Sequence, residues 1–131
     1  MKIVSARNRP TELHRMCEAA EADSTNNDKN LHSTDWEDRP HSLLYKFYGG
    51  GFQHCVGDYL LLYEGDSLVA GSGYYAYDRL YVLGLIDFYV MPDYERKIAR
   101  RELLFEQLVR ASAMSRKMLL VFDGSDDNSI L

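Results

Sequence analysis

The feature that most constrains the fold is a long apolar run from Leu80 to Met91, which Pro92 stops. Only Gly84 and Asp87 interrupt it. Continuous hydrophobicity of this kind is typical of a strand that is covered on both faces, since an exposed face would show alternate polar residues. The run therefore predicts a central strand in a sheet, with other elements packed on both of its sides.

The segment after Pro92 predicts a helix that begins at Tyr94 or Glu95 and ends near Met114. Apolar residues recur there at the spacing of one helical face, and charged residues lie between them. We expect the apolar residues to form the buried side, namely Leu104, Phe105, Leu108, Val109 and Ala111, with Arg96, Glu102, Glu106 and Arg110 facing out.

A last strand is predicted from Met118 to Phe122. A strand, a helix and a strand in succession form a βαβ unit, so this strand should lie parallel to the central one. Upstream, Gly57–Leu62 and Ser67–Tyr77 predict two strands joined by a hairpin at Glu64-Gly65-Asp66. The sheet is therefore expected to be mixed.

The N-terminal part adds a strand over Lys2–Ala6 and a helix over Thr11–Ala22, with Pro10 suited to its first turn. Residues 23–28 are polar and predict a loop, and His41–Tyr48 suggests a short helix. The expected fold class is α/β, a mixed central sheet flanked by helices. We expect residues 1–131 to form a single domain, because that length leaves little room for a second one.

Composition narrows the possible partners of the chain. Its net charge of -5 disfavours nucleic acid, which needs a basic surface, and suits a cationic small-molecule partner such as an amine. We see neither a membrane-spanning run nor a signal peptide, so a cytoplasmic protein is expected. Cys17 and Cys55 are predicted to be free thiols, and the nearby His14 and His54 are too few ligands for a metal site.

The predicted helix begins among cations, which lie where the helix dipole is positive: Arg96, Lys97, Arg100 and Arg101. Two interpretations stay open. Either an anion binds at this helix N-terminus, or nearby acidic residues offset the cations on a solvated surface. The Gly49-Gly50-Gly51 run lacks the lysine that follows in a phosphate-binding loop, and it is interpreted as a flexible connection.

The stretch from Leu85 to Tyr94, which reads LIDFYVMPDY, resembles the fourth strand of the GCN5-related N-acetyltransferases. The similarity is greatest to the spermidine/spermine-type amine acetyltransferases. Leu103 and Leu104 in the helix, the strand Met118–Phe122 and Asn128-Ser129 also fall where that family's pattern expects them. The resemblance implies an acyl-CoA N-acyltransferase-like fold and acetyl-CoA as the acyl donor.

The resemblance also implies site residues. The backbone at the end of the fourth strand would pair with the pantetheine arm of acetyl-CoA, through Tyr89, Val90 and Met91. Backbone N–H groups of the following turn would hold the pyrophosphate, through Arg96, Lys97, Ile98, Ala99, Arg100 and Arg101. The sequence departs from the family at Glu95, where Arg or Gln is usual, and at Ile98 and Arg100, which replace two glycines.

The chemistry needs a base for the ammonium and an acid for the leaving thiolate. By resemblance Asp87 is the candidate base; its alternative role is to cap or pair within the sheet. The family's usual acid, a tyrosine, lies on a helix beyond the fifth strand, past the end of this sequence. Tyr89 is the candidate substitute, beside Tyr74, Tyr75 and Tyr77, although tyrosines at strand spacing also serve packing.

Two functions follow from this sequence. The first is acyl-CoA-dependent N-acetyl transfer to a small amine. The alternative is a non-catalytic binding or assembly module of the same fold that has lost acetyl-CoA binding. Because the sequence is short at its C-terminal end relative to the family, Met118–Phe122 is expected to be a bare sheet edge. Such edges recruit another strand, which predicts a homo-oligomer, most simply a dimer.

Overall fold

Five strands and two long helices form the part of the chain that the computed structural model describes, which is residues 1–22, 57–76 and 78–120. The elements in order are β1 (Lys2–Ser5), a short 3-10 helix (Ala6–Asn8), α1 (Pro10–Ala22), β2 (Gly57–Glu64), β3 (Ser67–Ala76), β4 (Tyr81–Val90), α2 (Arg96–Ala113) and β5 (Lys117–Leu120). The predicted helix at His41–Tyr48 and the loop at 23–28 lie outside the described residues.

The strands form one sheet in the order β1-β2-β3-β4-β5. The first three neighbouring pairs are antiparallel, and β4 and β5 are parallel. The mixed sheet and the parallel βαβ pair predicted from the sequence are confirmed. The β2–β3 hairpin turns at Gly65, whose φ of 62° lies in the left-handed region that glycine adopts without strain.

The apolar run is a strand with a neighbour on each side, as predicted for a central position. It pairs with β3 from Ala70↔Val90 to Ala76↔Val82 and with β5 from Tyr81↔Lys117 to Gly84↔Leu120. Within the described residues β5 is the last strand in the sheet order. Association of two copies through this edge stays a prediction.

Among the described residues, each face of the sheet carries one helix and one cluster of buried residues. Helix α2 covers a cluster that includes Leu60, Leu62, Val82 and Leu103. On the other face α1 contributes Leu13 and Met16, both fully buried, to a cluster with Tyr59, Leu61 and Tyr63. Alternate residues of β2 thus enter opposite clusters, so this strand is covered on both sides.

The prediction of which face α2 buries was wrong in part. The buried residues are Ala99, Arg100, Leu103, Gln107 and Ala111. Of the residues expected inside, Ala111 is buried and Leu104 packs against the cluster, but Phe105, Leu108 and Val109 are exposed. The helix is therefore rotated from the orientation that its hydrophobicity favours, and its sheet-facing side includes an arginine and a glutamine.

Among the described residues we find no helix that is both long and apolar enough to cross a membrane.

Candidate functional site

Strand β4 is irregular in its second half. Leu85 has a φ of 58°, which is rare for a residue with a branched side chain, and the register with β3 shifts on either side of Gly73. These shifts are β-bulges, which redirect a strand and end its regular pairing. The described pairing with β5 extends no further than Gly84, the residue before Leu85.

Gln107 supplies the hydrogen bonds that this bulge requires. The Leu85 N–H donates to Gln107 Oε1 at 2.7 Å, and Gln107 Nε2 donates to the Gly73 carbonyl at 3.1 Å. The side chain is fully buried. Its one amide group therefore joins α2 to both β3 and β4. A second side chain spans the same two strands, since the Ser72 hydroxyl donates to the Ile86 carbonyl at 3.3 Å.

The packing around the Gln107 side chain favours glycine at position 84. A Cβ at this position would lie 2.5 Å from Met118 Sδ and 2.9 Å from Gln107 Oε1. Both distances are shorter than real Cβ contacts, so any side chain here would displace the Met118 side chain or the Gln107 amide. The glycine in the apolar run thus lies where side chains of α2 and β5 meet the backbone of β4.

Beyond the bulge, β4 presents backbone groups on the side away from β3. The Met91 N–H donates to the Val69 carbonyl at 2.8 Å, and Ala70 lies opposite Val90. In an antiparallel pair the hydrogen-bonded positions alternate with positions that point outward. The N–H and C=O of Val90 therefore point to the outer edge of β4, while Tyr89 and Met91 pair with β3. We call the backbone of residues 85–90 on this side the outer edge of β4.

The turn after β4 leads into the N-terminus of α2. Asp93 adopts a left-handed conformation with a φ of 75°, and Glu95 is the N-cap residue. The Glu95 carboxylate accepts from the Lys97 N–H at 3.3 Å. The Ala99 N–H donates to the Glu95 carbonyl at 3.1 Å, so the N–H groups of Lys97 and Ile98 precede the first intrahelical bond. A carboxylate of the chain itself thus lies at this anion-attracting end.

The four cations predicted to surround this N-terminus have two different environments. Arg96, Lys97 and Arg101 are exposed, but Arg100 is only 2% exposed. The guanidinium groups of Arg96 and Arg100 lie 4.9 and 5.0 Å from the centroid of the Phe88 ring, within the range of cation–π attraction. Phe88 therefore fixes two of these cations against β4. Ile98, at one former glycine position, is 42% exposed.

The candidate catalytic residues lie on or beside the same strand. Asp87 is in β4, within two residues of Leu85, and its side chain is outside what the structure describes. The Tyr89 hydroxyl donates to the Ala19 carbonyl of α1 at 3.4 Å, which directs it to the α1 face of the sheet. Tyr74 is buried on the α2 face, and Tyr77 lies outside the described residues.

Two side chains near the ends of α2, Tyr94 and Arg110, have a shifted pKa. Burial, followed by the charge and hydrogen bond of Glu64, raises the pKa of the Tyr94 phenol from its ordinary value. Burial alone would lower the pKa of Arg110, but hydrogen bonds with Glu106 and Tyr74 raise it overall. The Arg110 Nε lies 2.9 Å from a Glu106 carboxylate oxygen. Neither group contacts the outer edge of β4 in the described contacts.

Sequence reasoning missed Gln107 and the capping role of Glu95. The one signal for Gln107 was its spacing, four residues after Leu103 and four before Ala111. Residues four apart share a helical face, so a glutamine in that series is buried with its neighbours. In the part of the chain that the structure describes, no three His, Cys, Asp or Glu side chains are grouped to hold a metal ion.

The fold is shared with solved acetyltransferase structures. One is an aminoglycoside acetyltransferase from an uncultured soil metagenomic sample, with a TM-score of 0.61 and 13% identity over 95% of this chain and 79% of that one. Another, from the same kind of source and in complex with sisomicin, has a TM-score of 0.62 and 12% identity over 98% of this chain and 80% of that one. The chain has an acetyltransferase fold. No family model and no curated protein matches it.

Proposed function

We propose that the chain is an acyl-CoA-dependent N-acetyltransferase that acts on a small amine. The observation that carries the proposal is the outer edge of β4, which has no described pairing with β5 beyond Gly84 and leads to the N-terminus of α2. Together these features offer backbone groups to an amide-containing arm and a positive helix end to a phosphate group. The shared fold with acetyltransferases supports the same function.

The strand edge fits the pantetheine arm of acetyl-CoA. That arm contains amide groups, which pair with a strand through main-chain hydrogen bonds. Val90 directs its N–H and C=O outward, and among the described residues no strand pairs with β4 at Val90 on that side. In this proposal Val90 makes the central contact, and Tyr89 and Met91 hold the strand in register through β3.

The turn fits the diphosphate less well than the strand edge fits the arm. Arg96, Lys97 and Arg101 are exposed and supply positive charge at the helix N-terminus. The Glu95 carboxylate already caps the Lys97 N–H and adds a negative charge at the same place. A bound diphosphate would have to displace this cap. We therefore assign the phosphate end to the exposed cations and the Ile98 N–H, with Glu95 opposing them.

The acceptor is proposed to be a small amine. A net charge of -5 favours a cation, and one protein of the same fold binds sisomicin, an aminoglycoside, in its solved structure. When bound, acetyl-CoA supplies a thioester whose acyl group passes to the amine nitrogen as the C–S bond breaks. The nitrogen must first lose a proton, and Asp87, on β4, is the proposed base. Tyr89 is the proposed proton donor to the departing thiolate.

Calorimetric titration with acetyl-CoA tests the donor site. Val90→Pro removes the outward N–H at a position that makes no hydrogen bond to β3, and Val90→Thr keeps that N–H with a side chain of similar shape. We expect the wild type and Val90→Thr to bind acetyl-CoA alike and Val90→Pro to bind at least tenfold more weakly. Equal binding by all three proteins would contradict the proposed edge.

The second candidate function is a non-catalytic module of the same fold. The Glu95 cap favours it, because a self-capped helix end attracts anions less strongly than an uncapped one. This alternative predicts no heat of binding with acetyl-CoA and no acetylation of amines, with the protein fully folded by circular dichroism. Measurable thioester hydrolysis or amine acetylation that Asp87→Asn abolishes would exclude it.

A further inference from the structure

The buried bridge made by Gln107 has a consequence for the proposed donor site. A Gln side chain carries one acceptor and one donor group, and here each meets a backbone partner of the opposite kind. The amide orientation is fixed by these partners, since the reversed orientation would place an N–H against the Leu85 N–H and an oxygen against the Gly73 carbonyl. The bridge therefore holds one arrangement of the two strands.

The partners of Gln107 lie where the described pairing of β4 with β5 ends and the register of β4 with β3 shifts. Gly84, next to Leu85, is the last described residue paired with β5, and Gly73 lies at the register shifts of β3 against β4. An amide in the left-handed conformation of Leu85 has left the ladder and needs another acceptor. The Gln107 side chain is that acceptor, and it comes from α2, the helix whose N-terminus borders the site.

We propose that Gln107 is a positioning residue that fixes the outer edge of β4 for the acyl donor. Its side chain hydrogen-bonds to Leu85 of β4 and to Gly73 of β3. These two bonds set the direction of the strand from Leu85 to Val90 relative to the N-terminus of α2. The donor-binding part of this inference rests on the proposed function. The claim that Gln107 holds the bulge does not, because it concerns only protein atoms.

Two substitutions separate the hydrogen bonds from the size of the side chain. Gln107→Met keeps the length of the side chain and loses both bonds. Gln107→Glu keeps an acceptor for the Leu85 N–H, but it can donate to the Gly73 carbonyl only while its buried carboxyl is protonated. Ala111→Gly is the matched control, because it destabilises the same buried face of α2 without removing a side-chain hydrogen bond.

The measurements are amide hydrogen exchange at Leu85 and calorimetric affinity for acetyl-CoA, at denaturant concentrations that give the proteins equal global stability. In Gln107→Met we expect Leu85 to exchange at least tenfold faster than in Ala111→Gly, and acetyl-CoA to bind at least tenfold more weakly. In Gln107→Glu the Leu85 amide keeps more of its protection, and donor affinity falls less. If Gln107→Met does not fold, Gln107→Glu carries the same comparison.

Each remaining outcome decides the inference. Leu85 exchange equal to that of Ala111→Gly would show that Gln107 does not hold the bulge. Faster exchange with unchanged donor affinity would show that the bulge does not position the donor. If the wild type does not bind acetyl-CoA, the proposed function fails, and Leu85 exchange alone decides whether Gln107 fixes the strand.

Discussion

At the scale of single residues, the site is defined by side chains that hydrogen-bond to backbone groups of their own chain. Glu95 caps the Lys97 N–H at the start of α2, and Gln107 pairs with Leu85 and Gly73. Neither role belongs to a recognisable motif. Both residues satisfy polar groups that secondary structure leaves unpaired, and the Glu95 cap lies where a ligand's phosphate would bind.

Replacement of Glu95 should strengthen acetyl-CoA binding. An N-cap interaction contributes about 1 kcal/mol, and a ligand that must displace it loses roughly fivefold in affinity. Glu95→Gln removes the negative charge and weakens the cap, so we expect at least fivefold tighter binding in calorimetry. Asp93→Asn is the control, because it removes a charge from the same turn without affecting a cap. A Glu95→Gln protein with unchanged or lower affinity would contradict the opposing role of this carboxylate.

Gly84 should not tolerate a methyl group. Gly84→Ala places a Cβ against Met118 and Gln107, and overpacking of this kind costs about 1–3 kcal/mol. Gly65→Ala is the comparison, since a Cβ there meets no atom within 4 Å and the cost, about 1–2 kcal/mol, comes from the left-handed backbone alone. Urea denaturation of both variants measures the difference. A smaller loss at Gly84 than at Gly65 would mean that the contact region around Gln107 adapts easily.

At the scale of elements, the sequence predicted well which helices and strands exist in the described residues and in what order. Apolar runs and helical periods reflect burial, which any well-packed fold requires. It predicted the buried face of α2 poorly. Hydrophobicity favoured Phe105, Leu108 and Val109, yet the helix buries Arg100 and Gln107. Arg100 is buried beside the Phe88 ring, and Gln107 pairs with the bulge. Neither partner is visible from the helix alone, since the β4 bulge is a feature of the folded strand.

The buried face of α2 in the structure predicts opposite effects for substitutions at two leucines. Leu103 is fully buried and Leu108 is 46% exposed. Leu103→Ala should cost about 2–5 kcal/mol of unfolding free energy, as large-to-small changes in cores do. Leu108→Ala should change it by about 0.5 kcal/mol or less, as surface changes do. Equal losses in denaturant unfolding would mean that Leu108 is covered in solution.

At the scale of the whole molecule, one sheet with a helix on each face is shared with acetyltransferases at 12–13% identity. At such identity the topology is held by the pattern of apolar residues, while the residues of the site are free to differ. In the proposed function the strand edge pairs with the thioester arm, and Ile98 and Arg100 lie at the two positions where the resemblance expects glycines. Binding of the phosphate end of the donor is therefore expected to depend more on exposed cations than on close backbone approach.

Thermal unfolding with acetyl-CoA tests how much the exposed cations contribute to donor binding in the intact protein. A ligand that binds only the folded state at 100 times its Kd stabilises it by about 2.7 kcal/mol, which raises the Tm of a domain of this size by roughly 10 °C. Arg96→Ala combined with Lys97→Ala removes two exposed cations beside the helix N-terminus, and we expect most of that gain to disappear. Arg15→Ala combined with Arg79→Ala is the matched control, because both residues are exposed and the change in net charge is the same. If both double variants lose the gain equally, the effect comes from overall charge and not from a site at α2.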